Sequence, residues 1–280
     1  MSGTALFRLR RQALPGRGLA LGVTLVWLGG FILIPLAALA LRPWEKGLGG
    51  IWAVLTEPRV LAGFRLSFGA SALAALIAAP LGLLLAWVIT RYEFPGRRAL
   101  DALIDLPFAL PTAVAGLAMT AIFANNGWLG EPLAAWFGWT VAFRPAGVVV
   151  ALVFVALPFI ARTVEPVLRD LPRETEEAAA TLGATRVQTI ARVVLPALAP
   201  ALLTGFGLGF ARAVGEYGSV IFIAGNMPMV SEILPLLIVV KLEQFDYAGA
   251  AAIGLAMLLL AFVILLGLNL LQLLLRRGQP

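Results

Sequence analysis

The chain has 280 residues, 61% of them hydrophobic and 13% charged, and a mean hydropathy of +0.95; that apolar excess is more than a soluble core of this size can hide, so the sequence reads as an integral membrane protein. It contains no cysteine and no histidine, which excludes disulfides, thiol catalysis, imidazole bases and the usual transition-metal sites. The net charge of +6 and pI near 10.7 come from arginines scattered between apolar runs; without a basic stripe interleaved with aromatics, they act as topology determinants and nucleic acid is not expected as a partner.

Uncharged runs follow one another from the N-terminus: Leu19 to Leu41, Leu66 to Thr90, Leu106 to Ala124, Ala146 to Ala161, Val193 to Ala211 with an apolar continuation to Ala224, and Tyr247 to Leu275. A hydrocarbon core of about 30 Å needs about 20 helical residues. Six spans are therefore expected, within residues 19–275. The first follows the basic stretch RLRRQALPGRG, but its end at Leu41-Arg42-Pro43 lacks a small-x-small cleavage site, so it reads as a retained span and not as a signal peptide. The fourth run is short, and must borrow a neighbour such as Phe143 or tolerate Arg162 at its end. Neither Lys46 nor Lys241 closes a glycine-rich loop, since they follow Glu45 and Val240; any ATP is handled by another chain.

Orientation follows from the arginines and lysines. With a cytoplasmic N-terminus, the inner segments carry Arg8, Arg10, Arg11, Arg17, Arg91, Arg97, Arg98, Arg162, Arg169, Arg173, Arg186, Arg192, Arg276 and Arg277, 14 of the 21 basic residues, and the outer segments carry 6. The positive-inside rule then places the segment 1–18, the loop at about 162–192 and the tail 276–280 in the cytoplasm. Trp128, Trp136 and Trp139 fall in the second outer loop, where aromatic rings suit the membrane interface.

The long inner loop, EEAAATLGATRVQTIARVVLPALAP, is polar and well capped. Pro172 can occupy a first helical turn, Glu174, Glu176 and Glu177 favour a helix start, and Gly183 can end the helix in a left-handed conformation. Thr185-Arg186-Val187-Gln188 matches a capping box, and Val187, Ile190, Ala191 and Val194 recur at helical spacing opposite Arg186, Gln188, Thr189 and Arg192. Two short helices meeting at a glycine form either a docking surface, approachable at Ala178, Ala179 and Ala180, or a hairpin that merely caps the bundle.

Glu177-Ala178-Ala179, Gly183 and Leu195-Pro196 resemble the EAA loop of importer permeases of the ATP-binding cassette (ABC) class; Val193 stands where the pattern usually carries Ile. TRYEFPGRRALDALIDLPFALPTAVAGL, PFIARTVEPVL, ARAVGEYGSVIFIAGN and KLEQFDYAGAAAIG are similar to the sulfate/thiosulfate importer permeases, T (also called U) subunit, from about Gly18 onward. Molybdate and tungstate permeases share the loop but are less similar through Asp105 to Thr112. The resemblance implies an all-α integral membrane fold, a six-transmembrane-helix type I (MetI-like) permease with a cytoplasmic coupling helix, in the bacterial inner membrane. It implies a transport subunit that is not an enzyme and holds no cofactor, ATP and Mg being used by a partner ATPase dimer. A second permease subunit, a related W subunit or a second copy, and an external sulfate/thiosulfate-binding protein complete the complex. Glu177, Ala178, Ala179, Leu182, Gly183 and Ala184 would then contact the ATPase.

The residues leave two other classes open. An ion-coupled secondary transporter would need paired membrane-embedded ionisable groups and inverted repeats, of which only Arg212 and Glu216 and no repeat are visible. The docking loop alone also fits a non-transport membrane scaffold. For the translocation path, Pro107 and Pro111 predict a bent or broken start to the third span, with Thr112 as a polar contact lining a path or, alternatively, a simple entry cap. Arg212 and Glu216 share one helical face, near the outer gate with Tyr217, and form either a structural ion pair or an anion-attracting element. The helix is expected to bend at Gly215 and Gly218 or to project beyond the membrane, because a straight continuation to Gly225 is too long for it. Leu195, Pro196 and Pro200 mark the entry of the fifth span, where lost backbone bonds are easiest to tolerate.

Overall fold

The computed structural model describes residues 16–277, with no side-chain detail for Arg17 and 274–277; the expectations for 1–15 and 278–280 lie outside the described residues. Among these residues there are helices and no strands. In chain order they are α1 (Gly18–Leu55), α2 (Pro58–Arg91), α3 (Arg97–Ile104), α4 (Thr112–Phe123), α5 (Pro145–Asp170), α6 (Arg173–Thr181), α7 (Arg186–Val214), α8 (Leu234–Glu243) and α9 (Tyr247–Arg277). Single turns at Leu106–Ala109 and Val220–Ile223 and a short helix at Gly130–Phe137 link them.

Five helices, α1, α2, α5, α7 and α9, are long and apolar enough to cross a membrane. The third expected span is instead divided. Leu110 and Pro111 are extended, with ψ of 134° and 129°, and only the 12 residues of α4 follow as apolar helix. Proline disfavours the helical region for the residue before it and removes its own donor, so Leu110-Pro111 ends one turn and starts the next helix. The fourth span resolves by tolerating arginine. α5 begins at Pro145, leaves Phe143 outside at φ 62°, and continues through Arg162 to Asp170, eight residues past the expected loop start at 162. It can do so because Arg162 donates to Asp101, Asp105 and Glu165 at 2.6 to 2.8 Å. α2 likewise starts before Leu66, taking in Arg59, whose guanidinium forms a two-pronged pair with Glu232 at 2.7 and 2.6 Å. Paired charges are far less costly to bring near hydrocarbon than lone ones.

α2, α5 and α7 pack against one another as the central trio, and α5 is the innermost, whereas α1 lies on the outside. Small residues allow the close approach. A Cβ on Gly82 of α2 would meet Ile160 Cγ2 at 2.9 Å, and one on Gly205 of α7 would meet the Ile160 Cα at 3.0 Å. Lipid tails are as apolar as leucine, so helices in a bilayer gain from such close van der Waals contact more than from burying bulky side chains. The outer faces keep their large apolar residues exposed, among them Phe31, Leu76, Phe262 and Leu266. The loop between α5 and α7 stands at one end of the trio, together with α3. At the opposite end, Phe143 N–H donates to Ile223 O at 2.7 Å, and Lys241 of α8 pairs with Glu57 at 3.3 Å.

Candidate functional site

The loop that begins after α5 is built from its caps. Pro172 is not in the first turn of α6 but just before it, extended at ψ 137°, so it starts the helix by ending α5. Glu174 and Glu176 lie in the first turn, where negative charge meets the positive end of the helix dipole. Gly183 adopts φ +84° and closes α6 in the left-handed region, with its N–H donating to Ala180 O at 3.0 Å. Thr185 and Gln188 then form the expected capping box: Gln188 N–H donates to Thr185 Oγ1 at 3.3 Å and Thr185 N–H to Gln188 Oε1 at 2.9 Å.

The amphipathic pattern drawn for the start of α7 is met at Val194, which is fully buried, and departs at Thr189. Thr189 is buried, donating its hydroxyl to Thr185 O, whereas Val187 is 76% exposed and Ile190 40% exposed. The helix widens to a π-turn over Ile190–Val194, immediately before Leu195-Pro196, and so its register differs from that of an ideal helix. A proline within a helix obstructs the preceding turn, and a wider turn accommodates it. α6 itself has no buried residue. Glu177, Ala178, Leu182 and Gly183 are exposed, Leu182 at 89%, while Ala179 and Ala184 are half-buried. This is a firm, small-residue ridge with an apolar tip.

The second group of expected residues lies deeper. α7 ends at Val214 and does not bend onward through Gly215 and Gly218; the chain leaves the helix there and re-forms only one turn at Val220–Ile223. Glycine twice in four residues weakens the helix, and the Glu216 carboxylate holds Ser219 N–H in the turn instead, which makes this the natural stop. Arg212 and Glu216 do pair, at 2.6 Å, but asymmetrically: the arginine side chain is 37% exposed and the carboxylate 2%. Glu216 also accepts from Ser219 N and Oγ, both at 2.9 Å, so it organises the turn that follows α7. Thr112, at the first position of α4, packs on the same turn. A Cβ on Gly218 would lie 2.1 Å from Thr112 Oγ1, and one on Gly116 would lie 2.4 Å from Ser219 O. Thr112, Arg212, Glu216 and Tyr217 are thus brought to one region, with Tyr217 partly buried against the core. Pro107 and Pro111 bracket the turn leading into α4.

Sequence reasoning treated Arg59, Arg162 and Lys241 as topology determinants only. Their partners Glu232, Asp101, Asp105 and Glu57 are 57 to 184 residues away, with Glu165 and Asp246 as near partners. Spacing along the chain carries no trace of such pairs.

Residues 78–279 match the family described as binding-protein-dependent transport system inner membrane component. The chain belongs to that family. It is 46% identical over 262 residues, 94% of each chain, to a protein of Salmonella typhimurium named sulfate transport system permease protein CysT. It is 49% identical over 249 residues, 89% of each chain, to the protein of that name in Synechococcus elongatus. In fold it is similar to the solved bacterial alginate ABC transporter in complex with alginate pentasaccharide-bound periplasmic protein, with a TM-score of 0.74 at 19% identity over 90% of this chain and 92% of that one. As an inner-membrane component of this family, the chain is a multi-pass transport subunit and not an enzyme. Among its described residues no group of acidic side chains is placed to hold a metal ion.

Proposed function

We propose that this chain is the transmembrane permease subunit of an ATP-driven importer for sulfate, with thiosulfate as a second cargo. The observation that carries the reading is the 46% identity, across 94% of both chains, to a sulfate transport system permease. The exposed ridge of α6, with Glu177, Ala178, Ala179, Leu182, Gly183 and Ala184, is the surface that docks on a partner ATPase dimer using ATP and Mg. A helix presented without buried residues, fixed by a left-handed glycine and a capping box, can transmit displacement instead of absorbing it.

The second permease is a related W subunit in preference to a second copy, and an external binding protein delivers the anion. The span-bearing domain is 19–275, the loop end faces the cytoplasm of a bacterial inner membrane, and both termini lie on that side, in accord with the 14 basic residues against 6. Arg212 borders the path, with Glu216 moderating its charge so that the dianion is not trapped. Co-reconstitution with the ATPase, the W-type permease and the sulfate-binding protein tests the reading: labelled sulfate accumulates only with MgATP, and thiosulfate competes better than molybdate or tungstate. Uptake driven by an ion gradient without the ATPase would overturn it.

A further inference from the structure

α6 is tied covalently to two members of the central trio, to α5 through Leu171-Pro172 and to α7 through Gly183 to Thr185. Its link to the third is a side chain. A cleft of about 430 Å³ separates α6 from the end of α2, lined by Trp87, Arg91 and Tyr92 on one side and by Arg173, Glu176 and Ala180 on the other. Arg91, the last residue of α2, reaches across it. Its Nη2 forms an ion pair with Glu176 Oε1 at 2.7 Å and donates to Leu171 O at 3.2 Å, and its guanidinium lies over the Trp87 ring, 5.8 Å from the centroid. The side chain is only 10% exposed, unlike most arginines at a helix end. Among the described residues this is the one ion pair made by α6.

We propose that Arg91 is a positioning residue that makes α6 move as one body with α2, so that displacement of α6 reaches all three helices of the trio together. A planar guanidinium suits the task because it can bridge a carboxylate and a carbonyl while one face rests on an indole; a lysine ammonium offers a single point charge and no stacking plane. Trp87 beneath the guanidinium and the carbonyl of Leu171 confine Arg91, whose Nη2 makes both polar contacts, so the pair behaves as a strut and not as an exposed surface ion pair with freedom to wander. Without it, α6 would still be fastened at both ends but could rotate over the open cleft while α2 stayed in place.

The proposal rests on the reading of α6 as the ATPase-docking element, and the test separates the two. In the reconstituted complex, Arg91→Gln and Glu176→Gln each leave ATPase co-purification and ATP hydrolysis in place, while sulfate transported per ATP hydrolysed falls roughly fivefold, the smaller end of what lost coupling between two sites produces. Arg91→Lys falls between these and the wild type. Exchange of the two charges, Arg91→Glu with Glu176→Arg, recovers part of the ratio, which a purely structural defect does not do. An unchanged ratio in Glu176→Gln, which leaves the arginine and its packing on Trp87 intact, overturns the tether even if Arg91→Gln does not assemble. Gly183→Asp is the separate arm. If it keeps ATPase association and transport, the docking reading itself fails; if it loses association while the Arg91 and Glu176 variants transport with the wild-type ratio, only the tether fails.

Discussion

Glu216 and Arg212 form one ion pair, yet the two side chains have different work. The carboxylate is almost fully buried and satisfies Ser219 N and Oγ as well as the guanidinium, whereas the arginine keeps more than a third of its surface exposed. Glu216→Ala therefore strands a buried N–H and costs about 2 kcal/mol in stability, read as a lower unfolding midpoint in detergent and poorer assembly. Arg212→Gln costs less stability but reduces sulfate uptake more than it reduces assembly or basal ATP hydrolysis; equal losses in all three would show the arginine to be structural. A second residue-scale prediction concerns acid. Burial pushes the Asp246 carboxyl up, but Gly249 N–H, Lys46 and Lys241 outweigh it and hold it below its ordinary value of 3.8. A depressed carboxyl adds stability above its unfolded value and loses it as pH falls through the folded one. Asp246→Asn, which keeps an oxygen for Gly249, should therefore lower the midpoint at neutral pH by no more than about 3 °C, the scale of a partly exposed pair. The gap should begin to narrow as pH falls below 3.8 and close once it is below the folded value; a gap that persists in still stronger acid would assign the effect to the cap. The Arg212–Glu216 pair was legible because i,i+4 spacing puts both on one helical face. The Arg59–Glu232 pair was not, because its partners are 173 residues apart and meet only once the bundle closes.

α6 and its two stops were the most legible elements, since caps are local chemistry: the left-handed glycine and the Thr185–Gln188 box each need only four or five residues to form. The face that α7 buries was legible at Val194, which is fully buried, but not at Thr189, whose hydroxyl is satisfied by Thr185 O within the helix, so a polar residue is buried there without cost. A Cβ on Gly183 meets nothing within 4 Å, so a substitution suffers only the strain of φ +84° and no clash. Gly183→Ala should cost about 1 kcal/mol. Asp tolerates the left-handed region better than most residues, so Gly183→Asp should fold and insert at least as well as Gly183→Ala. Its defect should appear in ATPase co-purification, where a charge is added beside the 89%-exposed Leu182. Normal co-purification of the Asp variant, alongside normal uptake, would remove the loop tip from the docking surface.

Across the whole molecule, the break before α4 decides which surface faces lipid. The 12 residues of α4 rise about 18 Å, well short of a core about 30 Å thick, so the extended Leu110-Pro111 junction sits within membrane depth. Backbone groups that lose their helical partners there are tolerated only where protein covers them or water reaches them. Pro111 is exposed in this chain, so its surface turns toward a partner subunit or an aqueous path and not toward lipid, whereas α1 up to Leu41 and α9, with apolar outer faces, supply the lipid contact. Thr112 is the first residue past the break and touches the turn organised by Glu216 through Gly218. If Arg212 borders the path, as proposed, a thiol at Thr112 samples the same space. The chain has no cysteine of its own, so Thr112→Cys in the reconstituted complex gives a background-free probe. It should react with a membrane-impermeant thiol reagent, and its rate should change by about tenfold between the resting complex and one trapped with ATP, as a pathway that opens to alternate sides requires. A thiol inert in both states would mean that the break is covered by protein, and that Pro107 and Pro111 serve only to start the helix.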